Sequence, residues 1–206
     1  MRRPSSRGLS LHDVMRAQAR VEAHLGPTPL LPSGSLSELV GHRVLLKAEN
    51  QQITGSFKLR GALNAVLSLD DDQRERGVVT VSTGNHGRAV AHACRQLGIR
   101  AVVCVSELVP GNKVAAIRAL GAELVVGGGG QDEAERVALE LVAQQGLTLI
   151  PPFDYEDVIA GQGTLGLEIA RQLARSPEGQ SGRLRVLVPL SGGGLLSGVA
   201  LALRAV

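Results

Sequence analysis

Short runs of β-branched and apolar residues alternate with longer amphipathic segments through the middle of this 206-residue chain. The runs predict buried strands, and the segments between them predict helices. Strands that alternate with helices form a parallel sheet covered by helices, because each crossover returns the chain to the starting edge of the sheet. The predicted strands are 43–49, 78–82, 100–106, 123–126 and 147–150, and the predicted helices are 57–69, 86–97, 112–120 and 133–145.

Both ends of the chain depart from this alternation. Ser10 and Asp13 have the spacing of a capping box, which predicts a helix that runs to about His24. Pro151 and Pro152 interrupt the pattern and mark a predicted domain crossing. Beyond them we expect a helix at 165–174, a strand at 184–190 and a last helix from Leu195 onwards.

Composition excludes several classes of function. Arg2, Arg3 and Arg7 account for the whole net charge of +3, so the body of the protein is neutral. With one Tyr, two Phe and no Trp, the chain lacks aromatic side chains for stacking on nucleic-acid bases. No apolar run approaches the roughly 20 residues that span a bilayer, and no signal-peptide core follows the basic start. We therefore expect a cytoplasmic protein without nucleic-acid or membrane partners.

The two cysteines do not indicate a metal or redox site. Cys94 and Cys104 stand in apolar surroundings and lack the spacing of a ligand pair. We expect both to be reduced core residues, and we predict no metal site.

Three glycine-rich segments are candidates for phosphate binding. Gly192 to Gly194 follow Ser191 between a predicted strand and a helix, where free N–H groups and the helix dipole favour an anion. The segment 127–130 is followed by acidic residues that would repel a phosphate, which indicates a solvated turn. The segment 161–166 formally matches a dinucleotide fingerprint, but it lacks a preceding strand and a later acidic residue.

Two further segments carry chemically useful side chains. The predicted turn 82–87 is rich in hydroxyl, amide and backbone donors, which suit a bound carboxylate or, alternatively, ordinary helix capping. Lys58 stands in the first turn of a predicted helix, where a cation opposes the helix dipole. It is either a reactive amine or a surface lysine, whereas Lys47 and Lys113, the only other lysines, are expected to be structural or exposed.

The chain resembles the threonine/serine dehydratase group of the fold type II pyridoxal-phosphate enzymes. The resembling segments occur in the family order and extend over nearly the whole chain: 47–62, 82–91, 151–154, 158–164 and 188–195. Three of the motifs, at 82–88, 108–113 and 189–195, are most similar to the hydroxyectoine utilisation dehydratase branch.

The resemblance implies a role for each matched residue. Lys58 is the Schiff-base lysine and the base for the α-proton, and Thr83 stands where racemising relatives have a serine, which makes racemisation less favoured than elimination. The implied cofactor contacts are Phe57 and Phe153 against the pyridine ring, Asn85 at the ring oxygen, and Ser191, Gly192, Gly193, Gly194 and Leu195 around the phosphate. The implied substrate-carboxylate contacts are Ser82, Thr83, Gly84, Asn85 and His86.

The resemblance also implies the fold and the activity. It predicts a tryptophan synthase β-like α/β fold, in which a small parallel-sheet domain (49–150) is inserted into a larger cofactor-binding domain (1–48 and 151–206). Since family members are longer, we expect the larger domain to be C-terminally truncated. The expected activity is a pyridoxal-phosphate dependent lyase, homo-oligomeric when intact, that releases a 2-oxo acid and ammonia from a threonine-like, serine-like or hydroxyectoine-derived substrate.

Two other hypotheses compete with this one. The chain is a non-catalytic piece that at most binds the cofactor or a partner, or it is a dinucleotide-binding oxidoreductase. The missing ribose-binding acidic residue disfavours the second.

Overall fold

A four-stranded parallel sheet lies at the centre of the computed structural model, which describes residues 8–82, 84–176 and 184–205. Across the sheet the strands occur in the order 123–126, 101–105, 78–81 and 148–149, and helical crossovers connect strands that follow each other in the chain. The four strands agree with the sequence-based predictions and are β3 (Val78–Val81), β4 (Ala101–Val105), β5 (Glu123–Val126) and β6 (Thr148–Leu149).

Helices cover both faces of this sheet, which is why every residue of the two central strands, β3 and β4, is buried. One face packs with Ala89, Val90 and Cys94, and the other packs with Ala134 and Ala138. The helices of this part of the chain are α3 (Lys58–Leu67), α4 (Asp71–Arg76), α5 (Asn85–Leu97), α6 (Gly111–Arg118) and α7 (Gln131–Gln145). Four of them were predicted from the sequence, and the short α4 was missed.

The remaining elements lie before and after this unit. Ser10 is the N-cap residue of the first helix, as predicted, and the Asp13 side chain accepts a hydrogen bond from its backbone N–H at 3.0 Å. A short antiparallel ribbon and a 3-10 turn at Glu49–Gln51 then lead into α3. The elements are α1 (Leu11–Val21), β1 (Leu30–Pro32), α2 (Gly34–Val40), β2 (Leu45–Lys47), α8 (Glu156–Ala174) and α9 (Gly194–Leu203).

The long helix α8 packs closely against three other helices through its glycines. A Cβ atom on Gly161 would lie 2.6 Å from the Arg60 carbonyl oxygen in α3. On Gly163 it would lie 2.8 Å from the methyl groups of Val14 in α1, and on Gly166 2.8 Å from the Cβ of Ala202 in α9. The fingerprint-like segment 161–166 is therefore a helix-packing surface, which confirms that it is not a dinucleotide loop.

Three sequence-based predictions about secondary structure were wrong. Residues 184–190 are not a strand, since no strand of the described ranges pairs with them, and Leu187 is 95% exposed. The helix predicted at 165–174 begins instead at Glu156, because tertiary contacts compensate for the low helix propensity of its glycines. The strand predicted at 43–49 is shorter and pairs with β1 rather than with the parallel sheet.

Two general features of the described residues bear on function. No helix in the ranges 8–82, 84–176 and 184–205 is both long and apolar enough to cross a membrane. Cys94 and Cys104 are free and buried, as predicted, and burial raises their thiol pKa values to about 12 and about 11. Both side chains are therefore unreactive thiols of the core.

Candidate active site

The Lys58 amine lies at the start of α3 in a partly buried position. Its Nζ donates a hydrogen bond to the Pro152 carbonyl oxygen at 2.7 Å and lies 5.4 Å from the centre of the Phe57 ring. Burial lowers the pKa of Lys58, because the charged form loses hydration. The structure thus places an amine that is easier to deprotonate than a surface lysine at the position that the sequence indicated.

A cavity of about 210 Å³ opens beside this amine. Phe57, Pro152, Phe153 and Gln162 form part of its wall together with Lys58. The segment 189–195, which contains the predicted phosphate loop, lines the same cavity. The structure therefore brings together the candidate lysine, both phenylalanines and the residues Ser191, Gly192, Gly193, Gly194 and Leu195.

The glycine loop has the geometry of an anion cradle. Gly193 adopts a φ of +86°, which favours glycine, and α9 begins at the next residue. A Cβ atom on Gly194 would lie 2.7 Å from the Phe153 carbonyl oxygen, and one on Gly192 would overlap the Phe153 ring. Because the first N–H groups of a helix lack intrahelical partners, this loop can present backbone donors to a phosphate, and the residues present fit such a group.

The second glycine run behaves differently, as expected from its acidic neighbours. The Glu133 carboxylate accepts hydrogen bonds from the backbone N–H groups of Gly129 and Gly130, the latter at 3.2 Å. The donors that a phosphate would need are already occupied, so this run is a capped turn at the start of α7.

The predicted carboxylate-binding turn precedes α5. Gly84 donates its backbone N–H to Ser82 Oγ at 3.3 Å, and Asn85 is an exposed residue at the first position of the helix. Ser82, Gly84 and Asn85 do not line the cavity described above. Thr83 lies outside the described residues, so its predicted role stays a prediction.

His86 follows this turn in the first turn of α5 and lies near the Lys58 amine. Its side chain is 2% exposed, and its Nε2 lies 3.1 Å from the Ile150 carbonyl oxygen. Burial, with a smaller contribution from the nearby Lys58 charge, lowers the pKa of His86 to about 4, although the hydrogen bond to Ile150 acts in the opposite direction. The ring is neutral near pH 7, and Nε2 carries the hydrogen because it faces an acceptor. Nδ1 is left as an acceptor with no partner among the residues that the structure describes.

Sequence reasoning missed the side chain of Gln162 as a candidate site residue. It lines the cavity, is 1% exposed, and both of its amide atoms lack hydrogen-bond partners within the described ranges. The spacing of Val158, Gln162, Leu165 and Ile169 places a polar residue on the apolar stripe of α8. That interruption was the available signal.

The other two lysines have the roles that the sequence predicted. Lys47 donates to the Thr28 carbonyl oxygen at 2.6 Å and to Gln172 Oε1 at 2.8 Å, and it forms an ion pair with Glu168. Lys113 is exposed in the first turn of α6. Neither lines the cavity, which leaves Lys58 as its only lysine.

Comparison with known proteins gives consistent results. The family described as "Pyridoxal-phosphate dependent enzyme" matches residues 21–206. A Sinorhizobium fredii protein, named provisionally as a threonine dehydratase, is 52% identical over 96% of this chain. The L-threo-3-hydroxyaspartate ammonia-lyase of Saccharomyces cerevisiae is 41% identical over 93% of it. The structure of maize serine racemase is 36% identical over 95% of this chain, with a TM-score of 0.88.

These similarities confirm the predicted fold class. This chain spans 57% of the length of each of the three proteins, so the match covers only part of each relative.

Proposed function

Because this chain belongs to the family of pyridoxal-phosphate dependent enzymes, we propose that Lys58 is the residue that attaches the cofactor. We further propose that the protein is an ammonia-lyase that releases a 2-oxo acid and ammonia from a β-hydroxy amino acid. One observation carries the proposal: the Lys58 amine faces the same cavity as the glycine loop at the start of α9. An amine and a phosphate cradle in one cavity are what a phosphorylated aldehyde needs.

Different residues bind different parts of the cofactor in this proposal. Ser191 to Leu195 hold the phosphate through backbone donors, and Phe57 and Phe153 flank the ring, as the resemblance implies. Asn85, which does not itself line the cavity, is the proposed partner of the ring oxygen because the resemblance implies that role. When bound, pyridoxal phosphate supplies an acceptor for the electron pair that remains on the substrate α-carbon after its proton is removed.

The protein side chains then handle charge and protons. Lys58 takes the proton from the α-carbon, a task for which its lowered pKa suits it, because a general base has to be neutral before it acts. Backbone N–H groups at the start of α5, together with Ser82 and Thr83, hold the substrate carboxylate. His86 stays neutral near pH 7, so it adds no second positive charge beside Lys58.

The names of the relatives support the reaction class more than any one substrate. Two of them refer to threonine dehydration and to 3-hydroxyaspartate ammonia-lyase activity, and one refers to serine racemisation. Racemisation is a second candidate, which the threonine at position 83 disfavours. The hydroxyectoine utilisation branch, the cytoplasmic location, the homo-oligomer and the division into domains 1–48 with 151–206 and 49–150 stay predictions.

Reduction by borohydride tests the assignment of Lys58. We expect that treating the chain with pyridoxal phosphate and then borohydride leaves a pyridoxyl group on Lys58, identified by peptide mass spectrometry. Lys58→Ala removes this label, whereas Lys113→Ala, which deletes an exposed lysine, retains it. A label found mainly on Lys47 or Lys113 contradicts the proposal.

Product analysis tests the reaction. We expect 2-oxo acid release from threonine, serine or 3-hydroxyaspartate, measured with the wild-type chain and lost in Lys58→Ala. A chain that is labelled at Lys58 but releases no 2-oxo acid from any of the three is the non-catalytic piece considered above. D-serine formed from L-serine faster than 2-oxo acid identifies a racemase.

A further inference from the structure

The Gln162 amide is a buried polar group without a partner in the part of the chain that the structure describes. Neither Nε2 nor Oε1 makes a hydrogen bond, although the side chain is only 1% exposed. A buried amide that lacks hydrogen bonds loses its hydration without compensation, so such groups are rare outside sites that receive a ligand. Gln162 also lines the cavity beside Lys58.

Two close helix contacts surround Gln162, one at its side-chain amide and one at its backbone. Gly61 lies three residues after Lys58 on the same face of α3, and a Cβ atom there would overlap the Gln162 amide. Gly198, in α9, approaches α8 so closely that a Cβ atom would lie 3.1 Å from the Gln162 carbonyl carbon. The helices that carry the lysine and the glycine loop therefore both contact α8 at Gln162.

We infer that Gln162 is a positioning residue that hydrogen-bonds the phosphate-bearing end of the ligand held between Lys58 and the glycine loop. The amide N–H donates to a phosphate oxygen and adds no charge to a site that already contains the Lys58 amine. The inference rests on the proposed function, because pyridoxal phosphate is the phosphate-bearing ligand that the family uses.

Comparing two ligands tests this role. Gln162→Met keeps the length of the side chain and removes its hydrogen bonds. We expect it to raise the Kd of pyridoxal phosphate about 10-fold, which corresponds to about 1.4 kcal/mol for one hydrogen bond to a charged group. The Kd of pyridoxal, which lacks the phosphate, should change less than about twofold on the same scale. Gln162→Glu should weaken only pyridoxal phosphate, and more strongly, because two anions then face each other.

A matched control separates this effect from a change in packing. Thr164 is also buried in α8, but its hydroxyl donates to the Gly161 carbonyl oxygen at 2.7 Å and it does not line the cavity. Thr164→Val should leave both Kd values unchanged. The unliganded Gln162→Met variant should melt no lower than wild type, because it loses no hydrogen bond within the described residues.

The outcomes distinguish this inference from the proposed function. Equal losses for the two ligands, or no loss for either, overturn the role of Gln162. Inorganic phosphate provides a test that does not need Lys58: at the same phosphate concentration it should raise the melting temperature of wild type more than that of Gln162→Met, which keeps the backbone donors of the glycine loop. If Lys58 is not labelled and phosphate still discriminates between these two proteins, the proposed function fails and the role of Gln162 stands. If phosphate affects both proteins equally or neither, the inference is wrong.

Discussion

Two buried polar clusters lie around the first turn of α3, and they differ in how completely their hydrogen bonds are made. Lys58 and Arg60 are two residues apart, so their side chains leave the helix on different sides. Arg60 belongs to what we term the charge cluster, formed by Lys47, Glu49, Arg60 and Glu168. Lys58 belongs to what we term the site cluster, formed by Lys58, His86 and Gln162. Gln162 lines the same cavity as Lys58, and His86 is close enough for the Lys58 charge to act on its pKa.

The side chains of the charge cluster make several hydrogen bonds to one another and to the backbone. Arg60 donates through Nε and Nη2 to the two carboxylate oxygens of Glu49, both at 2.8 Å, and through Nη1 to Glu168 at 2.8 Å. Thr28 donates its backbone N–H to Glu168 at 2.8 Å. Through these bonds the 3-10 turn, α3 and α8 are joined.

The site cluster contrasts with this arrangement, because Nδ1 of His86 and both amide atoms of Gln162 have no partner in the described ranges. A polar group that completes its bonds within the protein contributes to the scaffold, whereas one that lacks bonds and lines a cavity, as Gln162 does, is available to a ligand. The comparison therefore separates two roles. The charge cluster stabilises α3 within the fold, whereas the site cluster presents side chains for binding.

The largest expected effect follows from breaking the charge cluster. Arg60→Met removes the buried guanidinium and leaves the partly buried carboxylates of Glu49 and Glu168 without it, which should lower the free energy of unfolding by about 3–5 kcal/mol. Denaturant titration measures this change.

Arg100→Met is the matched control, since it breaks the exposed pair with Glu123 and should cost no more than about 1 kcal/mol. Similar losses in the two variants would remove the distinction between the clusters.

A smaller effect is expected from pH, through His86. Its pKa is about 4 in the folded protein against 6.5 when unfolded, so the unfolded chain binds the additional proton as the pH falls. The stabilisation from the neutral ring is complete above about pH 6.5 and is lost progressively towards pH 4, to a total of roughly 3 kcal/mol.

Unfolding curves at several pH values test this dependence. His86→Gln should show a shallower fall in stability between pH 6.5 and pH 4 than wild type. His42→Gln, which changes an exposed histidine, should follow wild type. If His86→Gln retains the full slope, the histidine does not remain neutral in its buried position.

The same contrast explains what the sequence predicted correctly. Strands β3 and β4 are apolar because both of their faces are buried, so composition alone identified them. Lys58 was noticed because a cation at a helix N-terminus breaks a local rule. For the second glycine run, the acidic residues that follow it in the chain predicted a solvated turn, and the structure adds that Glu133 occupies its backbone donors.

Features that depend on distant contacts were not predicted. The start of α8 was misplaced because Gly161 and Gly163 disfavour a helix locally, and only their contacts with α3 and α1 show why they are there. Residues 184–190 have the apolar composition of a strand, but a strand also needs a neighbour to accept its hydrogen bonds. Gln162 was missed because whether an amide has a partner is a property of the packed structure.

The smallest expected effect distinguishes the two lysines that stand in first turns of helices. Lys58→Met should raise the free energy of unfolding by up to about 1 kcal/mol, because it removes a partly buried cation from the positive end of a helix dipole. Lys113→Met removes an exposed cation from the same kind of position in α6, and should give no more than a few tenths of a kcal/mol.

Thermal and denaturant unfolding measure the stability of both variants, and the borohydride labelling assay measures cofactor attachment in the same two proteins. Lys58→Met should be at least as stable as wild type and carry no pyridoxyl label, whereas Lys113→Met should keep the label. A residue that costs stability and is required for ligand attachment belongs to the site rather than to the scaffold. If Lys58→Met is destabilised as much as Arg60→Met, Lys58 stabilises the fold as Arg60 does. The distinction between the site cluster and the charge cluster is then wrong for Lys58, the residue that defines the site.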